Sequence, residues 1–470
     1  MRDFHHDNLS HDPIHGYISF SSGAASGAGE VSERQIIDHP WVQRLRYIHQ
    51  LQTAWLVYPS AEHTRFQHVL GVMHLASRFV AGLYESLKDS CPDVPSRGYV
   101  ESLLRMAGLL HDVGHGPFGH FFDEHFLSRF GATHESLGAQ IIETELGPLL
   151  RCIRRNPNSR LEAGETLDPA QIAWLIQRPK TSEPGTGEPN SQPRWLHLLR
   201  CLLSGIYTID NLDFVLRDAY MSGYSQRAYD LDRLLHYSFF TEQGLTIHDR
   251  GFPALIRFMS MRAELFRTIY FHRTVRAIDV FLADLFQASS HRIFPGDPRH
   301  NLEAYRGLTE SSLLVDVARW SASGDEELRR LGDGWQQFLR RDIPWKMVAQ
   351  RTLVYGAGDA EQKDVLARPD FAEKLLRENL PVSVRNTPLK IDIARHIYRP
   401  HTRGPALGQN FLYNSTLRQV RPLTDDQLFS RLPQANRYLR VYALDEAHAA
   451  DIARALDAAV GGSSDDLTNM

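Results

Sequence analysis

The chain has 470 residues, 42% of them hydrophobic and 23% charged, and a net charge of −4. That composition suits a soluble globular protein of one large domain or two to three average ones, and it excludes an overall positive field that would recruit nucleic acid. Three cysteines (Cys91, Cys152, Cys201) are too few and too scattered for a disulfide framework or a cysteine zinc site. No run of about 18 apolar residues marks a membrane span, so a cytoplasmic location without membrane contact is expected.

In chain order, GYISF (16–20) reads as a short strand and SSGAASGAGE (21–30) as a flexible turn before the first helix. From Glu33 to about Asp89, apolar residues recur at spacings of three and four, which predicts mostly helix. YVESLLRMAGLL (99–110) is a further helix, stopped by Gly114, Gly116 and Pro117, and HESLGAQIIETEL is another. PKTSEPGTGEPNSQPR (179–194) has the composition of an exposed loop or a domain boundary. One or two long helices follow in PRWLHLLRCLLSGIYTIDNLDFVLRDAYMSG, and residues 254–287 are strongly helical. YLRVYALDE and AHAADIARALDAAV predict a closing strand and helix. The expected fold class is mostly α, with a helical core and N-terminal hairpin segment over 1–290, a smaller α+β lobe over 291–460 and a disordered tail over 461–470.

Histidine is the unusual residue: 23 copies, concentrated in the first 140 positions, with four in LLRMAGLLHDVGHGPFGHFFDEHF (103–126). A divalent ion that activates water needs a few His and carboxylate ligands plus an open position. Adjacent His111 and Asp112 cannot face one way along a helix, where neighbours differ by about 100°. They can converge where the helix frays at Gly114. The other His-Asp dipeptides, at 6–7, 11–12 and 248–249, lack that helix end. Partners must come from elsewhere in the chain. His68 lies early in an apolar helix, and Asp210 shares a helix face with Asp213 and Arg217. Singly, each has an ordinary reading as a capped, paired or solvated side chain. Spread over separate helical segments, they read together as a ligand set.

HTRFQHVLGVMHLA, GLLHDVGHGPFGHFFDEHF, THE and IDNLDFVLRDAY resemble the successive motifs of HD-domain phosphohydrolases, in particular the subgroup of dNTP triphosphohydrolases found in mammals and bacteria. DPIHGYI, IIDHPWVQRLRYIHQLQ and YLRVYALDE extend the likeness, which is strong over residues 10–290. The resemblance implies an HD-domain helical core that hydrolyses a dNTP at the α-phosphorus to a deoxynucleoside and triphosphate. It implies His68, His111, Asp112 and Asp210 as metal ligands. Such donors accept Mn, Mg, Fe, Zn or Ni. His115, His120, His134 and Asp123 match polar groups around the α-phosphate, and His134 with Glu135 is implied to handle a proton on the leaving oxygen. The ordinary alternative is that these histidines only orient the ligands.

Arg65 and Arg262 match arginines that contact substrate phosphate; ion pairing with Glu62 or Glu264 is their ordinary reading. Gln50 and Leu51 match residues that read the deoxyribose, Tyr270 an aromatic that closes the 2′-hydroxyl space, and Asp218 the acceptor for the 3′-hydroxyl. Leu51 and Tyr270 could equally be helix core. Asp38, Gln43 and Arg46 match residues that bind an activating guanine nucleotide at subunit contacts, which implies a homo-oligomer, dimer or tetramer. Three positions depart from the pattern: Asn211 replaces a phosphate-contacting lysine, Phe214 a tyrosine and Gln67 a glutamate. These leave room for a second enzymatic reading, hydrolysis of a nucleoside monophosphate or cyclic nucleotide. A third reading is a nucleotide-sensing or nucleic-acid-binding module with vestigial activity, suggested by Arg-rich stretches such as RCIRRN (151–156).

Overall fold

The structure, a computed structural model, describes residues 7–23, 29–177, 192–355, 368–397 and 410–460 except 431, 433 and 434. The expected tail at 461–470 and residues 179–191 of the Pro- and Gly-rich stretch lie outside the described residues. An antiparallel hairpin opens the fold: β1 (Asp7–Asp12) and β2 (Gly16–Ser21), with Asp12 paired to Gly16. Gly16 takes φ +75° to close the turn. Asp12 Oδ1 accepts the N–H groups of Ile14 and His15 at 3.0 and 2.9 Å, a side-chain turn that Asp is suited to make.

The run expected to be mostly helical from Glu33 to Asp89 is broken into pieces. Short helical turns at Glu33–Ile37, Pro40–Gln43, Arg44–Tyr47 and Ala54–Leu56 precede one long helix, α1 (Arg65–Ser90). Gln52 at φ +52° lies within the break. Helix α1 buries Val69, Val72, Met73, Ala76 and Phe79, the stripe its periodicity predicts. Against it lies α2 (Arg97–Leu110), buried along its length from Gly98. A Cβ at Gly108 would stand 3.1 Å from Val72, so glycine here sets how closely the two helices approach.

Beyond α2 come α3 (His120–His125) and α4 (His134–Ile141), which runs on into a π turn at Ile142–Leu146. Helix α5 (Ile209–Met221) starts at the Thr208 cap, whose hydroxyl accepts from Asn211 N. The helical block expected over 254–287 is α6 (Phe252–Leu265), a π turn at Phe266–Tyr270 and α7 (Arg273–Ile293). Helices α8 (Glu310–Trp320) and α9 (Glu326–Leu339) add Leu313, Trp335 and Phe338 to the same large core.

Three sheets stand on this scaffold. Besides β1–β2, a sheet of order β3-β4-β7-β8 joins the hairpin β3 (Ser238–Thr241) and β4 (Gly244–His248) to β7 (Phe411–Asn414) and β8 (Gln419–Pro422). There β4 runs parallel to β7, with Thr246 beside Phe411. The third sheet centres β9 (Ala435–Ala443) between β5 (Lys346–Tyr355) and β6 (Leu389–Ile397), both antiparallel. Helices α10 (Pro369–Asn379) and α11 (Ala449–Val460) cover it and form a second, smaller core with Leu376, Leu439, Val441 and Leu456. The strand and helix expected from YLRVYALDE onward are β9 and α11. Among the described residues, no helix is long and apolar enough to cross a membrane.

Candidate metal centre and active site

Helix α1 begins with a capping box in which Gln67 Oε1 accepts from Thr64 N at 2.6 Å. This is the structural duty of Gln67. The cap fixes the first turn, and with it Arg65 and His68, both buried. His68 donates from Nδ1 to Asp213 Oδ2 at 2.8 Å, which leaves Nε2 turned to Asp210 Oδ1 at 3.1 Å. Helix α2 ends at Leu110, and the released turn presents His111 and Asp112. His111 donates from Nδ1 to the Gly108 carbonyl at 2.8 Å; its Nε2 lies 3.3 Å from Asp112 Oδ1 and 3.7 Å from Asp210 Oδ1. Two imidazole Nε2 atoms and two carboxylates therefore meet. Ligand atoms of His68, His111 and Asp112 all lie within 4.8 Å of one another. With each Nδ1 already committed, both Nε2 lone pairs remain for a cation, so the donor set fits a divalent ion.

The charges reinforce the arrangement. Arg65 donates from Nη1 to Asp112 Oδ2 at 2.6 Å. Burial opposes ionisation of Asp112, but the Arg65 guanidinium and the neighbouring histidines hold it well below the usual carboxylate range. Burial likewise opposes the Asp210 carboxylate, and hydrogen bonds from His111 and His68 hold it down. At His68 burial again works against charge, yet the bonds to Asp210 and Asp213 push the imidazole up to about 10.

Beside this cluster stands a second group, His115, His120, Asp123 and His134, whose ligand atoms also lie within 4.8 Å of one another. His115 stacks on His134 with ring centroids 3.7 Å apart, and His120 is edge-on to both. Asp123 accepts from His134 Nδ1, and Glu135 Oε2 lies 3.6 Å from the same nitrogen. His115 is fully buried, with Nε2 3.4 Å from Asp112 Oδ1. Burial, together with Arg65 and His134, pushes it well below the usual imidazole range, so it is neutral. The backbone makes room here: Gly119 takes φ +59°, and a Cβ on it would meet Arg65 Nη2 at 2.2 Å. His125 lies tilted against the Phe121 ring, with centroids 4.2 Å apart.

Both groups open into a cavity of about 790 Å³ lined by Gln50, Leu51, Arg65, His120, His134 and Glu135 together with the proposed metal ligands. Asp218 and Tyr270 also line it. The Tyr270 hydroxyl donates to Asp218 Oδ2 at 2.5 Å, and His63 donates from Nε2 to Oδ1 at 2.8 Å. Asn211 and Phe214 line the same space. Arg262 is not among the lining residues; it donates from Nη1 at 3.2 Å to the carbonyl of Ile206, which is. Asp38, Gln43 and Arg46 lie away from the cavity. Asp38 and Arg46 share a shallow groove with Asn8, Leu9 and Ser10 of β1, whereas Gln43 and Asp38 border a wider one beside Arg306. Arg46 donates to Gln43 Oε1 at 2.7 Å and lies over the Phe66 ring.

Sequence reasoning missed several residues that hold the site. His63 lies in the quoted HTRFQH motif, but nothing local announces its bond to Asp218. Arg44 is 4% exposed and donates to the carbonyls of His115 and Leu308 at 2.7 and 2.6 Å, fixing the turn that carries the histidines. Asp213 and Arg217 were legible as an i, i+4 pair, and they bond at 2.9 Å.

Comparison with known proteins agrees with this geometry. The HD-domain family pattern matches residues 65–186, the stretch carrying His68, His111 and Asp112. Human deoxynucleoside triphosphate triphosphohydrolase SAMHD1 is 25% identical over 459 residues, 92% of this chain and 69% of that protein. The chain carries an HD domain and is similar to deoxynucleoside triphosphate triphosphohydrolases over most of its length. Its chicken SAMHD1 relative is 30% identical over 324 residues, 64% of this chain but 50% of that protein. An uncharacterized protein of Bacillus subtilis, YwfO, is 29% identical over 317 residues, and the match spans 64% of each chain. Two solved structures share the fold: an Aquifex aeolicus protein (TM-score 0.66, 22% identity, 96% of this chain and 100% of that one) and a Bacteroides thetaiotaomicron phosphohydrolase (TM-score 0.62, 20% identity, 92% and 99%). HD-domain phosphohydrolases use divalent metals, and the cluster at the end of α2 fits that chemistry.

Proposed function

We propose that this HD phosphohydrolase converts a dNTP and water to a deoxynucleoside and inorganic triphosphate. The observation that carries the reading is the shared cavity, lined at once by the His/Asp cluster, the Asp218–Tyr270 pair, Gln50 and Leu51. The similarity to SAMHD1 over 92% of the chain supports the substrate class.

His68, His111, Asp112 and Asp210 would hold the ion, which supplies Lewis-acid activation of water and neutralises phosphate charge. Arg65 would bind a phosphate oxygen with the guanidinium that it now turns to Asp112. His134, oriented through Nδ1 by Asp123, keeps Nε2 for protonating the 5′ oxygen as the P–O5′ bond breaks. Neutral His115, stacked on His134, keeps a second positive charge away from that proton donor. Asp218 would accept from the 3′-hydroxyl, and the Tyr270 ring would deny space to a 2′-hydroxyl.

Asp38, Gln43 and Arg46 are the residues we assign to an activating guanine nucleotide, with a homo-oligomer completing that site. A second substrate reading rests on Asn211 and Phe214, which line the cavity where a lysine and a tyrosine were the expected phosphate partners; without them a smaller phosphoester would lose fewer contacts. Incubating the purified chain with Mn²⁺ or Mg²⁺ and a panel of dNTPs, nucleoside monophosphates and cyclic nucleotides decides between the two. The expected products are deoxynucleoside and triphosphate, resolved by ion-exchange chromatography. A nucleoside diphosphate with orthophosphate would overturn the bond assignment.

A further inference from the structure

Asp213 contributes no atom to the cavity lining, yet it is one of the most heavily bonded carboxylates in the molecule. Its Oδ2 accepts from His68 Nδ1 at 2.8 Å and from Arg217 Nε at 2.9 Å. Its Oδ1 accepts from Arg217 Nη2 at 2.9 Å and from His15 Nε2 at 2.7 Å. A carboxylate can only accept, so His15 and His68 are both the donors in these bonds. Arg217 reaches onward from Nη1 to Asp12 Oδ2 at 2.8 Å. Asp12 in turn holds the β1–β2 turn through its other oxygen. The chain of contacts is dry: Asp213 is 0%, Arg217 1% and Asp12 8% exposed.

Helix α1 is cut away to admit it. A Cβ at Gly71, three residues after His68, would lie 1.9 Å from Asp213 Oδ1 and 2.5 Å from Arg217 Nη2. Only bare backbone at that position lets the pair sit against the helix beneath His68. Three segments far apart in sequence therefore converge behind one imidazole: the turn of the N-terminal hairpin, the first turns of α1 and the middle of α5.

We propose that His15 and Asp12, on the hairpin turn, are positioning residues for the metal centre, fixing the tautomer and ring orientation of His68 through Asp213 and Arg217. The inference rests on reading His68 as a ligand. A metal-bound imidazole whose remote N–H is held by a carboxylate binds its ion more tightly, and loss of such a support costs roughly 10–100-fold in affinity. Here the support is itself supported, because Asp213 needs His15 and Arg217 to stay oriented, and Arg217 needs Asp12.

The test is Mn²⁺ binding to the full-length protein, read as free Mn²⁺ by electron paramagnetic resonance, in His68→Ala, His15→Ala, His15→Gln, Asp12→Asn and Tyr17→Ala. His68→Ala should abolish tight binding. His15→Ala and Asp12→Asn should weaken it by roughly 10-fold or more, and His15→Gln, which keeps an N–H donor, should recover most of the loss. Tyr17→Ala, an exposed change in the same hairpin, should bind as wild type. If His15→Ala does not fold, Asp12→Asn, with the turn acceptor retained, decides alone. Wild-type affinity in both His15→Ala and Asp12→Asn, or failure of His15→Gln to restore binding, overturns the positioning role. Unchanged Mn²⁺ affinity in His68→Ala would instead overturn the ligand assignment beneath it.

Discussion

The Tyr270 hydroxyl and the Asp218 carboxylate bond at 2.5 Å across the wall of the cavity, with His63 holding the other carboxylate oxygen. A substrate hydroxyl arriving at Asp218 meets an acceptor already fixed in place. Hydrogen bonds to charged groups contribute about 1.5–3 kcal/mol. Asp218→Ala should therefore raise KM for a dNTP by about 10-fold or more, while Mn²⁺ affinity stays that of wild type. An unchanged KM would remove Asp218 from sugar recognition.

Arg65 is cradled as well as paired. Its guanidinium bonds to Asp112 and lies against Gly119, where a side chain would collide with it. Arg65→Lys keeps the charge but loses the planar fork, and kcat/KM should fall by about 100-fold with little change in the unfolding midpoint. Gly119→Ala adds a Cβ at positive φ and should destabilise the fold by about 1–3 kcal/mol in urea titrations. It should also depress activity by displacing Arg65. Equal activity of Gly119→Ala and wild type would show that the guanidinium position is unimportant.

His74, on the α1 face beside His15, gives the fold an acid-sensitive window. Burial, the neighbouring His15 and the charges of Arg78 and Arg105 push its imidazole down to about 4, with Asp12 opposing weakly. Its unfolded value is about 6.5. Between these limits the unfolded chain binds a proton that the folded chain lacks, so stability is full above pH 6.5 and falls with pH by roughly 1.4 kcal/mol per unit. His74→Gln should remove that slope. Urea midpoints of both proteins at pH 7, 6 and 5 measure it; parallel curves would contradict the assignment.

Cation binding should also register as stability. An ion bound only by the folded state stabilises by about 2.7 kcal/mol at 100 times its Kd. Mn²⁺ should raise the melting temperature of the wild type, and His111→Ala should lose most of that rise. A rise of the same size in His111→Ala would place the ion elsewhere.

Much of this was readable from residues whose signals are local. The apolar stripe of α1, the helix end before His111-Asp112 and the i, i+4 spacing of Asp213 and Arg217 all need only neighbours in sequence. Two kinds of feature were not. Breaks such as those around Gln52 and the π turn at Phe266–Tyr270 interrupt stretches whose apolar periodicity alone looks continuous, because tertiary packing overrides the local pattern. Supports such as His63 on Asp218, Arg44 on the His115 carbonyl and His15 on Asp213 join segments distant in the chain, and a lone histidine or arginine carries no mark of its partner. The bond of Arg262 to the Ile206 carbonyl is a further contact between segments distant in the chain.

The parallel pairing of β4 with β7 carries a consequence for biosynthesis. Phe411 must reach Thr246 before that sheet is complete, and Leu412, Leu423 and Phe429 fill the same interior as the helices around His68. While a ribosome is still making the last quarter of the chain, β4 presents an unpaired edge backed by the apolar Leu245 and Ile247. Such an edge favours pairing with a second nascent chain, so the order of synthesis works against solubility until the late strand arrives. A protein ending before Phe411 would keep that edge permanently and should accumulate as aggregate, even though every proposed metal ligand had already been made.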